Sequence, residues 1–148
     1  MSRGSSREQV SNREKTILKK SPNILIVEDE NIIALDIQNT IEDFGWKVCA
    51  ITSKGEESIR MAEKFRPDLV LMDIRLKGKM NGTAAAKIIS DTLNIPIIYL
   101  TAYRDKEKKV QMIQNSLSGY IQKPFSQNEL HSKMKEILSQ IKKYPKTN

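Results

Sequence analysis

Apolar residues fall along this chain in two alternating rhythms. Short unbroken runs, Asn23-Ile24-Leu25-Ile26-Val27, Leu69-Val70-Leu71-Met72 and Ile95-Pro96-Ile97-Ile98-Tyr99-Leu100, each stop abruptly in polar sequence. That is the pattern of strands buried on both faces rather than of helices. Lys47–Thr52 and Gly119-Tyr120-Ile121-Gln122 add two further strands. Between the runs, apolar positions recur at helical spacing. Ile33, Ile37, Ile41 and Phe44 form one inner face, which ends at Gly45, a residue suited to the left-handed position after a helix. Ile59, Ala62 and Phe65 form the next, begun by the capping-box spacing Ser53-Lys54-Gly55-Glu56 and ended by Arg66-Pro67. Ala85, Ile88 and Ile89 face inward in the third. A charged helix is expected over residues 105–115, and Ser126-Gln127-Asn128-Glu129 caps a last one lined by Leu130, Met134, Ile137, Leu138 and Ile141.

Five strands alternating with five helices predict an α/β fold, a flavodoxin-like (βα)5 doubly wound parallel sheet with right-handed crossovers and strand order 2-1-3-4-5. Ligands of such sheets bind at the carboxyl ends of the strands. Those ends carry Glu28 and Asp29, Asp73, Thr101 and Lys123. Taken singly, each has an ordinary reading: a helix cap for Asp29, a helix start for Thr101, a solvated side chain for Lys123. Taken together, they place three carboxylates at the switch point between the first and third strands, where like charges raise one another's pKa unless a cation joins them. A hard divalent cation, Mg2+ with room for water and a backbone carbonyl from the Asp73 loop, satisfies that set. The lysine and hydroxyl opposite are then placed to receive an anion.

Composition narrows the function. The net charge is +7, but residues 1–20 hold six basic and two acidic side chains and residues 133–148 hold five and one, so the body is close to neutral. Basic ends argue for solvated tails, and nucleic acid is not the expected partner. The single Cys49 excludes a disulfide within the chain and is expected to pack as a small apolar residue. No run is long enough to span a membrane, and a cytoplasmic location is expected. The expected organisation is a disordered basic tail over residues 1–21, one domain over 22–142 and a short tail over 143–148.

The ordered set Ile24-Leu25-Ile26-Val27-Glu28-Asp29-Glu30, Leu71-Met72-Asp73-Ile74-Arg75, Leu100-Thr101-Ala102 and Tyr120-Ile121-Gln122-Lys123-Pro124-Phe125 resembles the receiver domain of two-component response regulators. The resemblance implies that Asp73 accepts a phosphoryl group and that Glu28 and Asp29 flank Mg2+ (or Mn2+), with Arg75 adding its backbone carbonyl. It also implies that Lys123 binds the phosphoryl oxygens, that Thr101 and Tyr120 act as switch residues, and that the Lys123-Pro124 bond is cis. The implied partners are a sensor histidine kinase or histidine phosphotransfer protein, a downstream protein target, and a second copy docked through the last two β/α units. With no output domain in the sequence, a stand-alone receiver is the expected type. A phosphorylation-independent interaction module of the same fold, or a receiver excised from a longer regulator, is the alternative. Three departures from the family pattern stand out: Glu28 in place of the commoner Asp, a loop Lys77-Gly78-Lys79-Met80-Asn81-Gly82 without the usual Pro, and Leu117 at a small-residue position. His131, the single histidine, is expected at the surface.

Overall fold

The computed structural model describes residues 21–102 and 118–141. In chain order these form β1 (Asn23–Val27), α1 (Asn31–Asp43), β2 (Lys47–Thr52), α2 (Gly55–Phe65), β3 (Leu69–Asp73), α3 (Gly82–Leu93), β4 (Ile97–Thr101), β5 (Ser118–Gln122) and α4 (Gln127–Ser139). The expected helix over 105–115, Leu117, residues 1–20 of the expected N-terminal tail and the expected tail over 143–148 lie outside the described residues, while Ser21 donates its hydroxyl to the Gly45 carbonyl at 3.2 Å. All neighbouring strands pair in parallel, and the sheet order is β2-β1-β3-β4-β5.

Alternation along the strands divides the interior into two layers. Leu25 and Val27 of β1, Val70 and Met72 of β3, and Ile97 and Tyr99 of β4 pack with Ala62 of α2 and Ala85, Ala86 and Ile89 of α3. Ile24 and Ile26, Leu69 and Leu71, and Ile98 and Leu100 face the other way, onto Ile37 and Ile41 of α1 and Leu130, Met134, Ile137 and Leu138 of α4. This is why the three central strands read as unbroken apolar runs. The edge strands β2 and β5 are mostly half-exposed. Each fully buried aliphatic side chain contributes about 1.5–3 kcal/mol, so stability is concentrated in the central strands and their helices. Cys49 is half-buried against this core, and burial pushes its thiol up to about 11, which leaves it chemically quiet.

Local signals hold at some helix ends and fail at others. Gly45 adopts φ 85° after α1, and the Ser126–Glu129 capping box is fully formed at the start of α4. Ser53 does not cap α2. The cap position falls one residue later, on Lys54, without a side-chain bond, and the acid engaged there is Glu57, which accepts from the Thr52 hydroxyl, rather than the Glu56 of the expected box. Two residues expected on inner faces are each 38% exposed. Ile88 is displaced because Ala85, Ala86 and Ile89 complete the α3 contact, and Phe65, in the last turn of α2, carries the Lys64 ammonium 5.2 Å from its ring centroid.

His131 also departs from expectation. It stacks on Phe44 with centroids 4.0 Å apart and meets the Trp46 ring edge-on at 5.3 Å, joining the end of α1 to α4. Among the described residues no helix is long and apolar enough to cross a membrane.

Two predictions follow from this packing. A methyl group at Gly82 would collide with the Asp73 carbonyl oxygen, because the start of α3 rests directly on the end of β3. Helix propensity alone would favour Ala there by about 1 kcal/mol. The collision is expected to win, so Gly82→Ala should lower stability by about 1–3 kcal/mol in urea unfolding; an unchanged midpoint would mean that α3 shifts freely. The second concerns pH. Burial, with Lys135 nearby, holds the His131 imidazole below its ordinary range, so the fold favours the neutral ring. The ring's contribution is therefore complete above the unfolded pKa and is lost as pH falls through the lower folded value. Between about pH 8 and about pH 5 the parent should lose urea resistance relative to His131→Phe, and parallel profiles would contradict the assignment.

Candidate functional site

The site forms where β1 and β3 lie side by side and end together, with Val27 opposite Met72. The polypeptide leaves β1 into Glu28, only 1% exposed, and leaves β3 through Asp73, 5% exposed. Carboxylate oxygens of Glu28, Asp29 and Asp73 all lie within 4.8 Å of one another. Asp29 is half-buried, and it does not cap α1, whose cap position is Glu30. Lys123 comes from just beyond β5, two strands away. Its Nζ donates to Glu28 Oε1 at 2.9 Å and to Asp73 Oδ2 at 3.4 Å. The second oxygens are held by backbone: Glu28 Oε2 accepts from Glu30 N–H at 3.2 Å, and Asp73 Oδ1 from Arg75 N–H at 3.0 Å.

Electrostatics record the crowding. Burial, then the hydrogen bond with Asp73, push Glu28 up to about 7, against the opposing pull of Lys123. For Lys123 burial is the largest influence and pulls downward, but the bond to Glu28 and the charge of Asp73 together leave its ammonium above the usual range. An acid driven toward neutrality beside two more carboxylates is a site short of positive charge. Oxygen-only donors at this separation, open to a cleft of about 730 Å3, fit a hard divalent cation such as Mg2+.

Thr101 ends β4 fully buried, and its hydroxyl donates to the Ile121 carbonyl at 3.4 Å. Lys123 N–H donates to the Thr101 carbonyl at 2.7 Å, which ties the two strand ends together, and the Lys123-Pro124 peptide is cis. Tyr120 lies half-buried in β5, against the α2/α3 side of the core, in register with Tyr99. The structure therefore gathers Glu28, Asp29, Asp73 and Lys123 into one cluster, sets Arg75 on the cleft wall, and keeps Thr101 and Tyr120 on the adjoining strands.

Sequence reasoning passed over the other cleft residues. Ile33, Lys77 and Asn81 also line the cleft, and Asn81 accepts from Ala84 N–H at 2.9 Å to cap α3. The Asn81-Gly82 pair at a helix start is the signal that could have revealed this.

Fold and site together define a doubly wound α/β domain with an acidic, lysine-backed pocket at its switch point. The chain belongs to the two-component response regulator receiver domains: the family model described as "Response regulator receiver domain" matches residues 24–135. It is 31% identical over 107 residues to the transcriptional regulatory protein PdtaR of Mycobacterium tuberculosis, covering 72% of this chain and 52% of that protein. It is 35% identical over 116 residues to the alkaline phosphatase synthesis transcriptional regulatory protein PhoP of Bacillus subtilis, covering 78% and 48%. The chain thus spans about half the length of these curated relatives. Among solved structures it is similar to the signal receiver domain of a modulated diguanylate cyclase from Desulfovibrio desulfuricans G20, with TM-score 0.74, 32% identity, and coverage of 82% of this chain and 96% of that one. A response regulator receiver protein from Sinorhizobium medicae WSM419 gives TM-score 0.71 at 27% identity, covering 81% and 96%. Phosphorylation-based signalling with Mg2+ at an acidic pocket is general to this family.

The charge imbalance predicts opposite effects at two neighbouring positions in chelator-treated protein. Asp73→Asn removes a like charge while leaving an oxygen for Arg75 N–H, and should raise stability by about 1 kcal/mol. Lys123→Gln removes the cation and should lower it by about 2 kcal/mol, less than for a fully buried pair because the Lys123 side chain is 24% exposed. Urea unfolding of the two variants beside the parent checks the signs, and two shifts in the same direction would refute the account.

Proposed function

We propose that Asp73 accepts a phosphoryl group from the phosphohistidine of a sensor kinase or phosphotransfer protein, and that the acyl phosphate changes which proteins the domain binds. The observation that carries this reading is the Asp73 carboxylate, nearly buried at the floor of an open cleft, with Lys123 Nζ 3.4 Å from one oxygen and backbone N–H 3.0 Å from the other. An oxygen so held is positioned to attack phosphorus, and Lys123 is placed to neutralise charge on the transferring oxygens. Glu28, Asp29 and Asp73, with the Arg75 backbone carbonyl, are the groups that would hold Mg2+ (or Mn2+). When bound, that ion supplies the positive charge that Lys123 alone leaves short.

Thr101 is the residue placed to report the change. Its hydroxyl now bonds to Ile121, and a phosphoryl group on Asp73 offers it stronger acceptors on the neighbouring strand. In this reading its turn toward Asp73 lets Tyr120 move inward, and the face bearing β5 and α4 presents a different surface to a downstream protein or a second copy. The proposed setting is cytoplasmic.

Intact mass after incubation with a small phosphodonor tests the acceptor. The expected result is a single phosphoryl adduct that needs Mg2+ and disappears in Asp73→Asn. No adduct from that donor or from phosphorylated histidine kinases would favour the phosphorylation-independent interaction module.

A further inference from the structure

We infer that Lys77 sets how this cleft discriminates among small-molecule phosphodonors, which bind without a protein partner's own contacts, favouring those whose leaving group departs as an anion over those that release a neutral nitrogen base. The inference rests on the proposed phosphoryl acceptance by Asp73. Its starting point is the way the segment after β3 is anchored. Ile74 and Leu76 are 1% and 9% exposed and belong to the core between the sheet and α2/α3. Arg75 and Lys77, in alternation with them, are exposed and line the cleft. Two buried anchors thus fix a cation on the cleft wall, where an unanchored loop would let it wander.

The charges already present leave Lys77, beside Arg75 on the same wall, as a cation open to a bound donor. Lys123 is engaged with Glu28 and Asp73, whereas Lys77 makes no ion pair among the described residues. Asp29 and Glu30, also lining the cleft, would repel a departing anion. At about 730 Å3 the cleft is far larger than a phosphoryl group and has room for the rest of a donor. In an in-line displacement the leaving group stands on the side of phosphorus opposite the attacking oxygen. It therefore points away from Asp73, toward the outer cleft.

The two donor classes differ in what they release. With an acyl phosphate, Asp73 forms the new O–P bond, the anhydride P–O bond breaks, and its electron pair leaves on a carboxylate, with no proton transferred. With phosphoramidate in its zwitterionic form, the P–N bond breaks and the nitrogen, already carrying its protons, leaves as neutral ammonia. An ammonium near the leaving group stabilises charge that develops in the first reaction and not in the second.

Lys79 supplies the control. It lies two residues further along the same loop, exposed, carries the same charge, and does not line the cleft. Initial rates of adduct formation with acetyl phosphate and with phosphoramidate, in Mg2+ at fixed ionic strength, are measured for the full chain and for Lys77→Gln, Lys77→Glu and Lys79→Gln. The expected result is that Lys77→Gln lowers the acetyl phosphate rate by about 3- to 10-fold and the phosphoramidate rate by less than about 2-fold, with Lys77→Glu more severe and Lys79→Gln leaving the ratio unchanged. Equal slowing with both donors, or the same ratio change in Lys79→Gln, overturns the inference and leaves a general field effect. A parent that reacts normally while Lys77→Gln keeps its ratio overturns this inference alone. A parent that takes no phosphoryl group from either donor overturns the acceptor reading and this inference together.

Discussion

One ammonium holds together an edge of the sheet that would otherwise repel itself. Three carboxylates lie within 4.8 Å of one another at the ends of β1 and β3, and Lys123 bonds to two of them. That single charge is not enough, because burial and the hydrogen bond with Asp73 still push Glu28 well above the usual carboxylate range. The site is therefore a local liability that the fold must carry. It can do so because β1, β3 and β4 each bury every apolar side chain, in two layers, at about 1.5–3 kcal/mol apiece. The strain of crowding a few charges is small against that reserve.

Parallel pairing converts strand order into chemistry. Every strand ends at the same edge, so neighbours in the sheet are neighbours in the site whatever their distance along the chain. Glu28 and Lys123 are 95 residues apart and three strands apart in the sheet, yet meet at 2.9 Å because β1 and β5 finish at the same edge and the lysine side chain reaches across. Gly82 belongs to the same constraint. The chain that leaves Asp73 returns so closely that the start of α3 rests on the Asp73 carbonyl, with no space for a side chain. Asp73 is thus fixed from behind by backbone and from the side by the Arg75 N–H bond.

The strand ends were the legible part of the sequence, and physics explains why. A strand buried on both faces leaves no polar position until it emerges, so the first charged residue after Val27 and the last residue of β3 had to lie at the cleft. What stayed hidden depends on partners far along the chain or on which of several local partners wins. The Ser53–Glu56 spacing promised a cap, but the helix starts one residue later, with Lys54 at the cap position, and the Thr52 hydroxyl bonds to Glu57 instead. Helical spacing placed Ile88 inward, yet two alanines and Ile89 fill the contact between α3 and the sheet. His131 read as a surface residue because nothing local shows that the end of α1 brings Phe44 and Trp46 against it. Lys77 and Asn81 looked like ordinary loop residues, since their place on the cleft wall follows from the burial of Leu76 and the cap on α3.

The uneven burial of the sheet also bears on how a change at Asp73 could travel. β3 and β4 are buried at every position, whereas β5 buries only Ile121. Few buried contacts mean low local stability, so β5, like the other edge strand β2, yields more readily than the central strands, and of the two it is β5 that adjoins Thr101 and Lys123. It is also the strand that leads into Lys123, receives the Thr101 hydroxyl bond, and returns a 2.7 Å backbone bond to Thr101. A change in charge at Asp73 acts directly on Lys123, which is bonded to it and, through its N–H, to the Thr101 carbonyl. Both are joined to β5, and through it to Tyr120, whereas the rigid centre of the sheet has no comparable freedom. A lightly buried edge strand is thereby coupled to the acidic cluster at the end of the sheet.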